Sequence, residues 1–320
     1  MPASDPGTIT YSVVIPVYGN QDTLAEVVRR LAEVAAGLDA PLEAVFVVDG
    51  SPDGSQVLLE RLLPDAPIPT QLLVHSRNFG SFPAIRTGLA AARGEYVGVM
   101  AADLQEPPEL MAAFFAALAS GETDVVVGRR ESRDDPAMTS LLSRTFWSLY
   151  RRTINPQIPP GGVDVFGCTR TVAQRLLALE ESHSSLVGLL YWLGYRRTEV
   201  PYSRVARTTG KSGWTLRKRV RYLLDSVFAF TDIPISALTT VGVLGTAVTT
   251  VVGLVVLVSW LTGSITEVGY TPLMLVVLFS TFVLLAGLGV IGSYVWRTYE
   301  NSKARPTSVA MSHRVYGDDA

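Results

Sequence analysis

The sequence predicts an α/β domain with a parallel sheet, joined to a C-terminal pair of membrane-spanning helices. Over the first 130 residues, short apolar runs alternate with amphipathic stretches, the signature of repeated strand–helix units. Near residue 235 the composition changes abruptly into two long apolar runs separated by a short polar turn. The chain is also too apolar for one soluble core. Of its 320 residues 48% are hydrophobic and only 18% charged, against about 25% charged in ordinary soluble domains, and the mean hydropathy is +0.28.

The first strand is expected at 11–17 and the first helix at 23–36. Thr23 and Glu26 have capping-box spacing, Leu24, Val27, Val28, Leu31 and Val34 recur on one face, and Gly37 ends the pattern. Further strands fit 42–48, 71–75, 96–100 and 124–127, with helical patterns between them. In such sheets ligands bind beyond the carboxyl ends of the strands, so the polar clusters following these runs are where chemistry is sought. Pro16-Val17-Tyr18-Gly19-Asn20 follows the first strand, and Asp49 to Ser55 the second. Each alone is explained by turn chemistry. The functional alternative is a nucleotide site in which Asp49 accepts from base or ribose and Tyr18 packs on the base. No G-x-G-x-x-G follows a strand, which argues against a nicotinamide dehydrogenase. After the fourth strand stands Ala101-Ala102-Asp103-Leu104-Gln105-Glu106-Pro107-Pro108-Glu109. A carboxylate there can hold a divalent cation against a diphosphate, or simply cap the helix that the two prolines begin.

The apolar runs at 237–261 and 271–296 carry no charge and are each about 25 residues, enough to cross ~30 Å of hydrocarbon as helix. Arg217, Lys218, Arg219 and Arg221 precede them and Arg297, Lys303 and Arg305 follow, while the turn between has no Lys or Arg. Both ends are therefore expected in the cytosol. The N-terminus has no basic residue before Arg29 and lacks the charged start of a secretory signal, which again keeps the first domain cytosolic. Between 196 and 221 nine basic residues face one acid, Glu199, and are interleaved with Trp214, Leu216, Val220, Tyr222 and Leu223. This reads as an interfacial helix on anionic membrane lipids. The stretch 141–150, with Phe146 and Trp147, fits a second such helix and core packing equally well. The tail after Asn301 is expected to be poorly ordered.

Some classes are excluded. Basic and acidic residues number 27 and 29, so an ordinary nucleic-acid binder is not expected. Cys168 is the single cysteine and reads as a small buried residue; with His75, His183 and His313 it makes no zinc cluster, and the histidines show no catalytic arrangement.

In order, VVIPVYGN, VVDGSPDGS, RNFGS, ADLQEPPE and VVGRR form a series, continued by Gly162-Val163-Asp164-Val165-Phe166 with Arg170 and by Arg207-Thr208-Thr209-Gly210-Lys211-Ser212-Gly213-Trp214. On these motifs the chain resembles the family 2 glycosyltransferases, specifically the polyprenyl-phosphate glycosyltransferases, which include dolichol-phosphate mannose synthases and bacterial glucosyl carriers. The resemblance covers nearly the whole chain. It implies a GT-A (Rossmann-like) domain at 1–195, basic interfacial helices at 196–234, a two-helix transmembrane hairpin at 235–300 and a cytosolic tail at 301–320. It further implies an enzyme of the inner (plasma) membrane that moves a sugar, with inversion, from a nucleotide-sugar donor to a polyprenyl phosphate acceptor. Carried over by position, Pro16, Tyr18 and Asp49 lie against the nucleoside, Arg77 and Asn78 brace the site, and Asp103 with Gln105 holds Mg²⁺ or Mn²⁺. Arg130, Arg207 and Ser212 contact donor or acceptor phosphate, and Asp164 stands at the candidate catalytic carboxylate. Apart from the resemblance, Ser143 in the 141–150 stretch is expected to touch acceptor phosphate.

The family commonly has an acid where this chain has Val48 and Asp-x-Asp where it has Ala101-Ala102-Asp103, so one metal ligand is absent; Gly19-Asn20 replaces the usual Asn-Glu. A non-catalytic nucleotide-sugar-binding scaffold and the same fold acting on another lipid or glycan acceptor are the alternatives. The sequence lacks the Q-x-x-R-W of processive synthases. Gly242, Gly245, Gly287, Gly289 and Gly292 would permit close helix approach and assembly of a homo-oligomer in the membrane.

Overall fold

The runs rich in β-branched and aromatic residues become strands: β1 (Tyr11–Val17), β2 (Leu42–Val48), β3 (Thr70–His75), β4 (Tyr96–Val99), β5 (Val125–Arg130), β6 (Phe166–Thr169), β7 (Arg197–Tyr202) and β8 (Ala310–Tyr316). The computed structural model describes residues 9–131, 156–159, 162–179, 181, 185–204, 224–231, 233–262 and 270–317. Among the described residues the eight strands lie in one sheet, in the order β7-β5-β6-β4-β1-β2-β3-β8. The block β3-β2-β1-β4 is parallel, with Tyr11 opposite both Leu42 and Tyr96. β6 runs antiparallel between β4 and β5, and β8 antiparallel on β3. The sheet is therefore mixed, where a parallel one was expected. Alternation of apolar runs encodes which face is buried, not the direction in which a strand joins its neighbour.

Among the described residues the sheet is accompanied by six helices: α1 (Leu24–Ala36), α2 (Ser55–Leu62), α3 (Ser81–Ala91), α4 (Leu110–Ala119), α5 (Arg170–Leu177) and α6 (Leu186–Trp192). Leu24, Val27 and Leu31 of α1, Leu59 of α2 and Phe114 and Phe115 of α4 share one core with Ile15 and Phe46. α3 lies on the opposite face, where a Cβ on Gly88 would come within 2.2 Å of Val14 Cγ1, so the helix sits almost on the strand. The Thr23–Glu26 capping box does not form. Thr23 Oγ1 instead donates to the carbonyls of Asn20 (3.0 Å) and Ala102 (2.5 Å), and Glu26 pairs with Arg29. A long-range carbonyl outcompetes the local cap and ties the start of α1 to the loop after β4.

Two expectations at the ends of this domain are corrected. Residues 197–202, assigned to an interfacial helix, are β7, paired in parallel with β5, because the long-range ladder with Val125–Arg130 decides the conformation over the local run of charge. The tail, expected to be poorly ordered, forms a strand over 310–316. β8 pairs with β3 from Thr70↔Tyr316 onward, and Leu72, Leu73 and Val74 supply a strand edge that the tail covers.

Residues 220–305 form a second compact unit, and 306–320 belong to the first. In the second unit α7 (Leu224–Phe230) and α8 (Ile233–Leu261) precede α9 (Tyr270–Ser302). Asp225 pairs with Arg297 at 2.8 Å, and Phe228 packs on Tyr294. Among the described residues one segment, Phe279–Ser302, is by itself long and apolar enough to cross a membrane; α7 with 233–245 qualifies only as a pair bent by 79°. Of the five glycines singled out in the two apolar runs, Gly287 faces the neighbouring helix, at Leu238, and a Cβ on each of the other four would meet open space.

Candidate active site

The chain order reverses between β1 and β4, so the loops leaving β1, β2 and β4 flank the crevice where ligands bind in open α/β sheets. The loop after β1 and that after β2 are sewn together. Gly19 N–H donates to Ser51 Oγ (2.8 Å), Gln21 N–H to Asp53 Oδ2 (3.0 Å) and Gly54 N–H to Gln21 Oε1 (2.8 Å). Burial would raise the Asp53 carboxyl, but the Ser51 hydroxyl and the backbone N–H groups of Gln21 and Ser55 outweigh it and hold the group at about 2. Tyr18 stands 52% exposed at this edge, a large ring with no core to fill; Pro16 is half-buried within β1.

Asp49 sits behind these loops, 2% exposed. Its Oδ1 accepts from His75 Nδ1 and from Phe79 N–H, both at 2.8 Å, and Oδ2 accepts from Gly80 N–H at 2.7 Å. Both oxygens thus hold the segment that carries Arg77 and Asn78 and starts α3. Arg77 and Asn78 are exposed, with the Arg77 guanidinium 4.0 Å over the Phe79 ring.

The second cluster lies at the ends of β4, β5 and β7. Leu104 adopts φ +56 between Asp103 and Gln105, a left-handed turn rarely taken by leucine, and its side chain packs on the core. Asp103 Oδ1 accepts from Gln105 N–H at 3.2 Å, and Gln105 Oε1 from Arg204 Nη2 at 2.5 Å. Glu106 is 2% exposed and lies 3.4 Å from Arg204 Nε. Burial and then the neighbouring Asp103 raise the Glu106 carboxyl, opposed by Arg204 and Arg130. Arg130, nearly buried, forms an ion pair with Asp164 and donates from Nε to Tyr202 Oη at 3.3 Å; Tyr202 Oη donates to Asp164 Oδ2 at 3.4 Å. Burial and then Glu106 raise the Tyr202 phenol. Gly128 makes room for this ring, since a Cβ there would lie 2.9 Å from Tyr202 Cε1.

Asp103, Gln105, Arg130 and Asp164 therefore stand in one neighbourhood, and Pro16, Tyr18, Asp49, Arg77 and Asn78 line or brace the other. Ser143, Arg207 and Ser212 lie outside the described residues, as do the 141–150 stretch and most of the basic run. Of that run, Arg196 is engaged by Asp124 at 2.8 Å, and Arg197 stacks on Tyr191 at 4.7 Å. Sequence reasoning missed His75, Glu106, Tyr202 and Arg204 as site residues. In the sequence Arg204 is one charge of a basic run, and Glu106 carries a signal as an acid directly ahead of two prolines.

For a divalent cation, Asp103 and Gln105 offer one carboxylate and one amide oxygen. Among the described residues no group of three His, Cys, Asp or Glu comes together. Hard oxygen donors in this number fit Mg²⁺ or Mn²⁺ shared with phosphate oxygens and water, not a cage built by protein alone.

Comparison with known proteins identifies the family. Residues 12–178 match the family described as glycosyl transferase family 2. An uncharacterized glycosyltransferase of Synechocystis sp. is 32% identical over 93% of this chain and 94% of its own length. A bactoprenol glucosyl transferase of Shigella phage SfV is 26% identical over 95% and 98%. A solved mannosyltransferase from Pyrobaculum calidifontis, in complex with GDP-Man and Mn²⁺, is 19% identical over 90% of this chain and 89% of that one, with a TM-score of 0.44. With its α/β GT-A domain and more than half its length matched, the chain belongs to glycosyl transferase family 2 and is a glycosyltransferase.

Proposed function

We propose that the protein transfers a sugar, with inversion, from a nucleotide-sugar donor to the phosphate of a membrane polyprenol. The observation that carries this reading is the convergence of Arg130 and Arg204 with Asp103, Gln105 and Asp164 at the strand ends. The acceptor class is supported by the relative named a bactoprenol glucosyl transferase, matched over almost its full length. Breaking a sugar–diphosphate bond leaves negative charge on the departing nucleoside diphosphate. Arg130 and Arg204 are cations already held by protein partners, so they stabilise that charge with little reorganisation. A Mg²⁺ or Mn²⁺ ion, when bound, would add positive charge at the same diphosphate, and Asp103 and Gln105 are the residues that would hold it. The acceptor is a phosphate monoester with a second pKa of about 6, largely ionised at neutral pH, and attacks the anomeric carbon without needing full general-base help. Asp164, fixed by Arg130 and Tyr202, orients the reacting groups. Tyr18 packs on the base, Pro16 flanks it, and Asp49 acts through the loop it braces. Arg207, Ser212 and Ser143 remain acceptor-phosphate contacts in this reading.

Chain order supports reading 237–261 and 271–296 as a hairpin. β8 follows α9 yet pairs with β3, so a chain that enters a membrane after β7 has to return to the face it left. Both termini and the catalytic domain are then cytosolic.

The test is transfer of radiolabelled sugar from UDP-, GDP- and dTDP-sugars to undecaprenyl phosphate in lipid, with Mg²⁺, Mn²⁺ or EDTA. One donor should give a labelled lipid, lost with EDTA and with Asp103→Ala. No product across the panel from folded protein would refute the reading in favour of a nucleotide-binding scaffold or another acceptor.

A further inference from the structure

The C-terminal strand and the donor-loop brace are joined by a continuous hydrogen-bonded chain. It begins at Asp49, whose carboxylate holds Phe79 N–H and Gly80 N–H. Facing that carboxylate, His75 carries its proton on Nδ1 in either charge state of the ring. His75 Nε2 lies 2.9 Å from Thr87 Oγ1 on α3, and Thr87 Oγ1 lies 2.8 Å from Ser308 Oγ, two residues ahead of β8. Ser76 N–H donates to Val309 O at 3.0 Å beside it, where the β3–β8 register shifts at Val74/His75. The His75 and Asp49 side chains are 0% and 4% exposed, so the pair is shielded from bulk solvent.

We propose that His75 is a positioning residue for the donor site, acting through Asp49, and that Thr87 and Ser308 extend this control to the segment that leads from α9 into β8. This rests on the reading of the 16–20, 49–55 and 76–80 loops as the nucleotide site. The molecule supplies its own control. At the other end of β3, away from those loops, His313 on β8 contacts Gln71 Oε1 at 2.8 Å, and Gln71 Nε2 donates to the buried Glu43 at 2.9 Å. That second tether fastens the same strand without touching Asp49.

The test compares donor KM, acceptor KM and kcat with calorimetric affinity for UDP, GDP and dTDP across five full-length variants. His75→Phe should raise donor KM about 10-fold, with kcat and acceptor KM within about 2-fold. His75→Asn, whose amide can donate to Asp49, should recover part of the loss, and Ser308→Ala should raise donor KM about 3-fold. His313→Ala should lower the melting temperature and leave donor KM alone. Unchanged donor KM in folded His75→Phe overturns the proposal, as does an equal effect from His313→Ala. Should His75→Phe not fold, Ser308→Ala and Thr87→Val decide: donor KM unchanged in both overturns it. If the wild type binds a nucleotide but transfers no sugar, the acceptor reading fails, while weakened nucleotide binding in the variants still supports the relay. If the wild type binds none of the three nucleotides, both fall.

Discussion

Replacing Gly50 with alanine should open the donor site. Gly50 has φ +57, and a Cβ built on it would stand 2.4 Å from Asn78 N and 2.5 Å from Arg77 C. These are backbone atoms and cannot swing aside, so the 76–80 segment has to retreat by about 1 Å to reach an ordinary contact distance. Such a shift carries Phe79 N–H and Gly80 N–H away from the Asp49 carboxylate, which holds them at 2.8 and 2.7 Å. Left-handed strain of about 1 kcal/mol adds to roughly 2 kcal/mol for a weakened charge-assisted hydrogen bond. A total of about 3 kcal/mol corresponds to a fall in melting temperature of roughly 6–12 °C for a domain of this size, with donor KM rising at least about 10-fold. Gly121→Ala is the matched control: φ is +73 but nothing lies within 4 Å of its Cβ, so only the strain applies. Thermal unfolding and donor-dependent kinetics of both variants are the assay. Gly50→Ala behaving like Gly121→Ala would mean that the two loops do not meet as described.

Other consequences are as direct. Asp164→Asn leaves nearly buried Arg130 facing a neutral group, and transfer should drop about 10- to 100-fold in single-turnover assays with donor affinity retained; a full rate would remove Asp164 from the site. Cys168 is fully buried and its thiol is pushed up to about 12, so maleimide should label it only after denaturant is added; fast labelling of folded protein would contradict the packing of β6. Asp53 is held at about 2 against an ordinary 3.8, so its stabilisation is complete above about pH 4 and lost as pH falls through 2. Nucleotide affinity should thus be insensitive to Asp53 between pH 5 and 8, and Asp53→Asn should flatten the loss seen in acid.

Much of the first domain was legible because β1 to β4 and α1 are local events. Runs such as Val13–Ile15 and Val45–Val48 and the period of Leu24, Val27, Leu31 and Val34 specify strand or helix without reference to distant residues. The carboxyl-end rule points to Asp49 and Asp103 from the sequence alone. What it could not give was the use each is put to. Asp49 is spent on the loop behind the site because His75, 26 residues away, and two backbone N–H groups converge on it. Thr23 fails as a cap because the Ala102 carbonyl, 79 residues on, reaches it first.

The sequence by itself determined the α/β class, the strand-end location of the polar clusters and the apolar C-terminal runs, since each follows from short-range pattern and composition. Only the tertiary structure decided that β6 and β8 run antiparallel, that residues 310–316 cover the edge of β3, and that Arg204, Glu106 and Tyr202 gather around Arg130 and Asp164. The physical reason is that strand direction and buried charge pairing depend on partners far apart in the chain, which hydrophobic periodicity does not encode.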